Sequence, residues 1–474
     1  MKLAVEHLAS MDPRTRLLLE APIARTLLKL GAPNVLVMLS QAAVGLIETY
    51  FVGQLGTDAL AGMALVFPLV MFMQMTSNGA MGGGITSAIA RALGAGRRDD
   101  ANALVQHAVA IALGFGLVFT VVMLLGGSWI YSLMGGRDGA LQAALLYSNW
   151  VFAGAALIWF FNALAALIRG TGHMMMQAVV MVGGAVVMVP LSALLIFGWD
   201  RLGIPGFGIV GGALALLAYY AVGSLILVIY LKSERSLLRL QFSPLRLRKP
   251  LFWDILRVGL VGIFSTAATN IAIGFATAMV GRFGTTALAG YGTASRLEYL
   301  LVPLVFGFGA PLVAMVGTCI GAGQRERALK ATWIGATMSF AMAECVGLWA
   351  ALFPHTWLRL FNADPAMLEV GAHYLRIVGP SYGFFGLGIV LYFASQGAGK
   401  LLWPAIGNVA RLSAALAGGW LAIRYWNSLT GVFIAQAVAL IVYGSLNAWA
   451  IAGGAWFGRV SWLGRPGASV GLPS

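Results

Sequence analysis

The sequence predicts an all-α integral membrane fold: twelve transmembrane helices in two pseudo-symmetric six-helix lobes, arranged as parallel repeats. Composition, a count of apolar stretches and an internal duplication predict it. Hydrophobic residues are 60% of the 474, charged ones 10%, and the mean hydropathy is +0.86. A soluble domain carries roughly 25% charged residues. The duplication is direct. Val52-Gly53-Gln54-Leu55-Gly56-Thr57-Asp58-Ala59-Leu60-Ala61-Gly62 returns as Val280-Gly281-Arg282-Phe283-Gly284-Thr285-Thr286-Ala287-Leu288-Ala289-Gly290, an offset of 284 − 56 = 228. Gly94-Ala95-Gly96 returns as Gly321-Ala322-Gly323, Tyr147 as Tyr374 and Gly170-Thr171-Gly172 as Gly397-Ala398-Gly399, all at an offset of 227.

Stretches of on the order of 20 apolar residues are long enough to cross a bilayer. They run over 34–52, 60–90, 103–127, 141–168, 174–198 and 207–231, then 256–280, 287–320, 331–353, 372–396, 403–426 and 430–452. The expected organisation is a tail (1–33), a first lobe (34–231), a polar linker (232–254), a second lobe (255–453) and a second tail (454–474). Six spans per lobe is even, so both lobes begin on the same side, and such repeats enclose a site at their interface.

Orientation follows the Lys/Arg bias of the loops. With a cytosolic N-terminus, 22 of the 30 Lys and Arg residues fall in cytosolic segments; Arg411 is counted among the eight in opposite loops and span ends. Both termini are therefore expected in the cytosol, in a multi-pass protein of the cytoplasmic (inner) membrane. The net charge of +14 reads as orientation plus attraction to anionic lipid rather than nucleic-acid binding. No signal peptide is read in the first residues. The linker alternates Leu and Arg over 244–250, which suits either a surface-lying amphipathic segment or a charged connector.

Cys319 and Cys345 form no disulfide or metal spacing. Gly397-Ala398-Gly399-Lys400 lacks the spacing and hydroxyl of a phosphate loop. No nucleophile set stands out, so an enzyme is disfavoured, no cofactor is expected, and transport would run on an ion gradient. Prolines in or near spans (Pro68, Pro190, Pro303, Pro311, Pro380) permit bends.

Ile47-Glu48-Thr49-Tyr50-Phe51-Val52-Gly53-Gln54-Leu55-Gly56, Ala90-Arg91-Ala92-Leu93-Gly94-Ala95-Gly96 and Arg169-Gly170-Thr171-Gly172 resemble the multidrug and toxic compound extrusion (MATE) family. The resemblance runs from about Ile23 to Gly453. It implies two six-helix lobes around a V-shaped cavity, and export of organic cations against an inward Na⁺ or H⁺ gradient. The family's first-helix acid falls on Glu48. Its fifth-helix Asn and Asp positions fall on Met188 and Ser192, and a seventh-helix acid position on Thr269, beside Asn270. Both family ion sites are thus incomplete.

An ionisable group inside a span costs at least ~2.5 kcal/mol on insertion scales, so it is a functional candidate. Glu48, Glu298 and Glu344 qualify as ion-coupling residues. Each also has a plainer reading: Glu48 reaching water near the outer helix end, Glu298 in an ion pair, Glu344 in an interhelical hydrogen bond. With few oxygens left for Na⁺, a lone carboxyl that protonates favours H⁺ coupling, with Na⁺ the alternative. The expected substrate cavity draws on Trp159, Phe161 and Asn162 of the fourth span, Asn270 of the seventh, and Tyr382 and Phe385 of the tenth, with Met71, Met73 and Met75 as adaptable surface. Lipid contact is the alternative for any single aromatic. The expected partners are small organic cations and membrane lipids, with no nucleic acid, and the chain is expected to be a monomer. The rivals are a lipid-linked oligosaccharide flippase of the same wider superfamily, an intramembrane enzyme and a channel.

Overall fold

The computed structural model describes residues 12–199, 203, 205–239, 248–361 and 364–458. Arg201, residues 240–247 of the linker, and 1–11 and 459–474 of the two tails lie outside them. Regular structure among the described residues is helical: α1 (Pro13–Glu20), α2 (Ile23–Gly53), α3 (Thr57–Gln74), a π-helical turn (Met75–Met81), α4 (Gly82–Gly94), α5 (Arg98–Leu133), α6 (Asp138–Ala153), α7 (Ala155–Gly170), α8 (Met174–Phe197) and α9 (Ile209–Lys232). The second half has α10 (Lys249–Gly281), α11 (Thr285–Gly321), α12 (Arg325–Leu352), α13 (Pro354–Leu358), α14 (Pro365–Val378), a 3₁₀ turn (Gly379–Ser381), α15 (Tyr382–Ala398), α16 (Leu402–Trp426) and α17 (Leu429–Ala452).

Eleven helical segments among the described residues are long and apolar enough to span a bilayer, and α6 with α7, bent by 49°, makes a twelfth. The bend at Gly154 has its counterpart at Ser381 (154 + 227), so the break in the fourth span is duplicated in the tenth. The first span begins at Ile23, well before residue 34, and runs through Pro33. Ahead of it, Asp12 caps α1 by accepting the Arg14 N–H at 2.8 Å, with Pro13 at the first helical position.

The duplicated glycines have two distinct jobs. Gly96 (φ +71°), Gly323 (φ +73°), Gly172 (φ +78°) and Gly399 (φ +68°) close helices in the left-handed region. The Arg97 N–H reaches Ala92 O at 2.9 Å and the Gln324 N–H reaches Cys319 O at 2.8 Å, the bond of a Schellman helix end. The Gly-Ala-Gly loops are therefore carboxyl-end caps, not phosphate cradles. Gly94 and Gly321 let two helices touch: a methyl group on Gly94 would strike the Thr318 carbonyl, and one on Gly321 the Arg91 carbonyl. Small residues permit such backbone approach in membranes.

These contacts locate the seam between the halves. Gly31 backs onto Gly307, Gly84 onto Ile255 and Gly259, and Gly317 onto Ala90. Asn34 Nδ2 donates to Phe306 O at 3.2 Å, and Gln396 Nε2 to Gly79 O and Ala80 O at 3.4 and 3.3 Å. The seam runs from the Gly94/Gly321 end to about mid-depth. Beyond it α3 packs against α2, α5 and α6 of its own half, while Tyr50, Ile271 and Tyr299 are exposed. The halves thus form a V, closed at the end that carries the basic loops. There Arg91 of α4 pairs with Asp254 of α10 at 2.9 Å, and Arg257 holds the same carboxylate. Helix α1 adds a strap, with Arg14 donating to Tyr230 OH in the first half and Leu18 O accepting from Arg327 Nε in the second.

Candidate functional site

Glu48 lies on α2, five residues before Gly53, and is 7% exposed. The Tyr147 hydroxyl of α6 donates to its Oε1 at 3.0 Å. Gly212 of α9 faces the carboxylate, and a Cβ there would sit 3.1 Å from Oε1. Ile196 of α8 packs at the same point. A carboxyl in this apolar surround persists because a donor meets it and a glycine leaves it room. The family's fifth-helix positions on α8, Met188 and Ser192, are both buried, and neither supplies a carboxylate.

Next along the half is a polar chain. Gln74 donates to the Tyr220 hydroxyl, and Asn162 Nδ2 reaches Gln74 Oε1 at 3.2 Å and Ser77 Oγ at 2.8 Å. Ser77 belongs to the π-helical turn, whose loosened register frees carbonyls. Those of Gly79 and Ala80 accept from Gln396, and Asn78 accepts from Arg169 at 2.6 Å through its side chain.

The second half has its own acid. Glu298 on α11 accepts from Tyr374 OH at 2.6 Å and Tyr382 OH at 3.4 Å. Tyr374 is the duplicate of Tyr147, yet the residue matching Glu298 is Met71 (298 − 227). The hydroxyl was copied, and the two carboxylates arose on different helices. Arg296, two residues earlier, points elsewhere, its guanidinium 5.5 Å from the Phe361 ring.

Arg411 corrects its placement among loops and span ends. It stands within α16, half-buried, 5.5 Å from the Phe385 ring and 5.6 Å from the Tyr443 ring. Glu344 departs in the other direction. Its Oε2 accepts the Gly383 N–H at 2.8 Å, at the start of α15, which makes it a helix cap that satisfies an orphan donor.

The aromatic residues expected in the cavity are largely internal. Trp159 is 1% exposed, stacked on Phe115 at 5.2 Å. Phe161 is fully buried, edge-on to Tyr220, and Asn162 is spent on Gln74 and Ser77. Tyr382 is bound to Glu298 and Phe385 lies under Arg411. At the depth of these residues α7 and α15 are packed by helices of their own half, so the side chains fill the lobes instead of facing the opening; nearer the basic end α15 joins the seam through Gln396. Asn270 is exposed and donates to Thr266 O at 2.9 Å. Met71 and Met75 are exposed at 40% and 45% while Met73 is buried, as expected for successive positions on a helix.

The MatE family profile matches residues 33–194 and again 262–421, once in each half. The chain belongs to the MATE family. This family comprises non-enzymatic, multi-pass membrane transporters. The chain is 28% identical over 387 residues to the FAD transporter of Shewanella oneidensis, covering 80% of this chain and 82% of that one. It is 26% identical to the probable multidrug resistance protein NorM of Thermotoga maritima, covering 92% and 93%. Among solved structures, a MOP superfamily transporter of Pyrococcus furiosus superposes with a TM-score of 0.84 at 25% identity, covering 94% of this chain and 99% of that one. A MATE bound to MaD5 superposes with a TM-score of 0.83 at 25% identity. The all-α transporter fold is therefore the one expected from the sequence, and the chain is a MATE-type efflux transporter.

Sequence reasoning missed Tyr147 and Tyr374 as donors, Gly212 as the floor under Glu48, and Arg411. The tyrosine pair was visible in the 227-residue spacing. Nothing local marks Gly212 or Arg411, because their partners lie on other helices.

Proposed function

We propose that this protein exports amphipathic aromatic compounds, mostly cationic, from the cytosol by alternating access, driven by inward proton movement through Glu48. The observation that carries this is the buried Glu48 carboxyl, on the helix that lines the seam, held by one tyrosine. A single acid with one hydroxyl suits a group that gains and loses a proton. A specific Na⁺ site wants several oxygens, and Met188 stands where the family's fifth-helix asparagine would supply one. Glu298, with its two tyrosines, is a second coupling candidate. Both termini and the 232–254 linker lie in the cytosol of a cytoplasmic-membrane monomer in this reading, so the V opens outward.

In the outward-open form a proton from outside neutralises Glu48 and substrate leaves. The halves then rock about the glycine seam, parting Arg91 from Asp254. Substrate binding on the cytosolic side follows proton release.

A second reading has support from the Shewanella relative, named an FAD transporter, and from the Pyrococcus transporter, described as having a binding pocket of reverse polarity that suggests a different function. Under it, the substrates carry negative charge. Reconstituted vesicles given Na⁺ and H⁺ gradients separately test the main reading. Ethidium movement under the H⁺ gradient alone is the expected result; movement under Na⁺ alone would replace proton coupling with sodium coupling. Translocation of a lipid-linked oligosaccharide with no dye movement would favour the flippase.

A further inference from the structure

We infer that Arg411 forms an anion subsite in the second half, which takes a phosphate or carboxylate group of the transported compound. Calling that compound a substrate rests on the second exporter reading above, in which the cargo carries negative charge; the subsite itself rests on geometry. Arg411 lies nine residues past Leu402 on α16, about 14 Å along the axis at ~1.5 Å per residue, near the middle of the span. A guanidinium carries five N–H donors and no acceptor. Among the described residues none of these donors has a hydrogen bond or an ion pair, although the side chain is only half exposed. In a membrane-embedded position such a cation finds a partner or lines a polar space.

Glu298 does not fill that role. It feels the charge of Arg411, yet the two are not within 4.0 Å, and the carboxylate is already engaged by Tyr374 and Tyr382. The rings of Phe385 and Tyr443, themselves 6% and 3% exposed, set the guanidinium in place from below. A planar fork held against aromatic faces with its donors unspent is suited to bidentate capture of phosphate or carboxylate. No counterpart exists in the first half. The matching position is Gly184 (411 − 227), so the subsite belongs to this half alone and is not part of the duplicated scaffold.

FMN and riboflavin test it, since they share a ring system and differ by one phosphate. Binding to purified protein, read by flavin fluorescence with no gradient imposed, separates this proposal from the coupling mechanism, which ethidium export reports. Wild type is expected to bind FMN at least tenfold tighter than riboflavin. Arg411→Gln should bring that ratio close to one, and Arg411→Lys should keep part of it, because charge remains while the fork is lost. On the wild type itself, inorganic pyrophosphate should displace FMN and leave riboflavin bound. Equal wild-type affinities, a ratio unchanged by Arg411→Gln, or FMN that pyrophosphate does not displace would each overturn the assignment.

Discussion

A carboxylate inside a span is held by whatever donors reach it, and the buried Glu48 and the half-buried Glu344 differ in what those donors are. Glu48 has a tyrosine side chain from another helix; Glu344 has a backbone N–H that must be satisfied wherever α15 begins. Glu48→Gln should abolish gradient-driven dye export and weaken dye binding, since glutamine mimics the protonated acid from which substrate leaves; export at the wild-type rate would remove Glu48 from the mechanism. Glu48→Asp should keep partial activity. Glu344→Gln should leave export largely intact and lower thermal stability in detergent, since a hydrogen bond to a charged group contributes about 1.5–3 kcal/mol. Loss of export at unchanged stability would place Glu344 in the coupling path instead. The residue type was legible at all three acids, because an intramembrane charge stands out in an apolar chain. Their roles were not, because a role depends on the helix opposite.

At the scale of elements, the seam is built from glycine on both sides and latched by charge. Arg91 and Asp254 have side-chain exposures of 11% and 25%, so the pair is shielded at the end where the halves meet. Removing one partner of a shielded pair leaves the other uncompensated, a cost of about 3–5 kcal/mol when burial is complete and less here. Asp254→Asn should therefore favour the conformation opened at the basic end. A cysteine at Ala90, fully buried in the seam, reports the change. Its labelling by a membrane-permeant maleimide should rise several-fold in the Asp254→Asn background, and an unchanged rate would mean that the glycine packing alone keeps this end shut. The duplicated glycine motifs were readable in sequence. Their two physical jobs, left-handed caps at Gly96 and Gly323 and helix contacts at Gly94 and Gly321, were not separable there.

For the whole molecule, two halves that part at one end and touch at the other suit alternating access, and orientation decides which side is open. In the proposed orientation, taken from the Lys/Arg asymmetry, the closed end faces the cytosol. A single cysteine at Ser236, in the linker after α9, should resist membrane-impermeant label in intact cells and react in everted vesicles. Ready labelling from outside would reverse the orientation, and with it the direction assigned to the V.

Composition and the 227-residue repeat were enough to determine an all-α membrane fold of twelve spans in two related halves. Hydropathy and duplication are properties of local sequence, and every span must satisfy its own backbone bonds as a helix. Helix ends and functional contacts needed the tertiary structure. Pro33 lies within a continuous helix because the start of α2 packs against α11. Trp159 and Phe161 read as ligand-facing aromatics, yet α7 is enclosed by its neighbours, and four successive residues on a helix cover every side. Arg411, counted as a span-end charge in the sequence, becomes a mid-membrane cation only once α16 lies beside the rings of Phe385 and Tyr443. Hydrophobicity decides that a segment crosses the bilayer; which of its faces meets lipid, a neighbouring helix or the opening is decided by packing between segments distant in the chain.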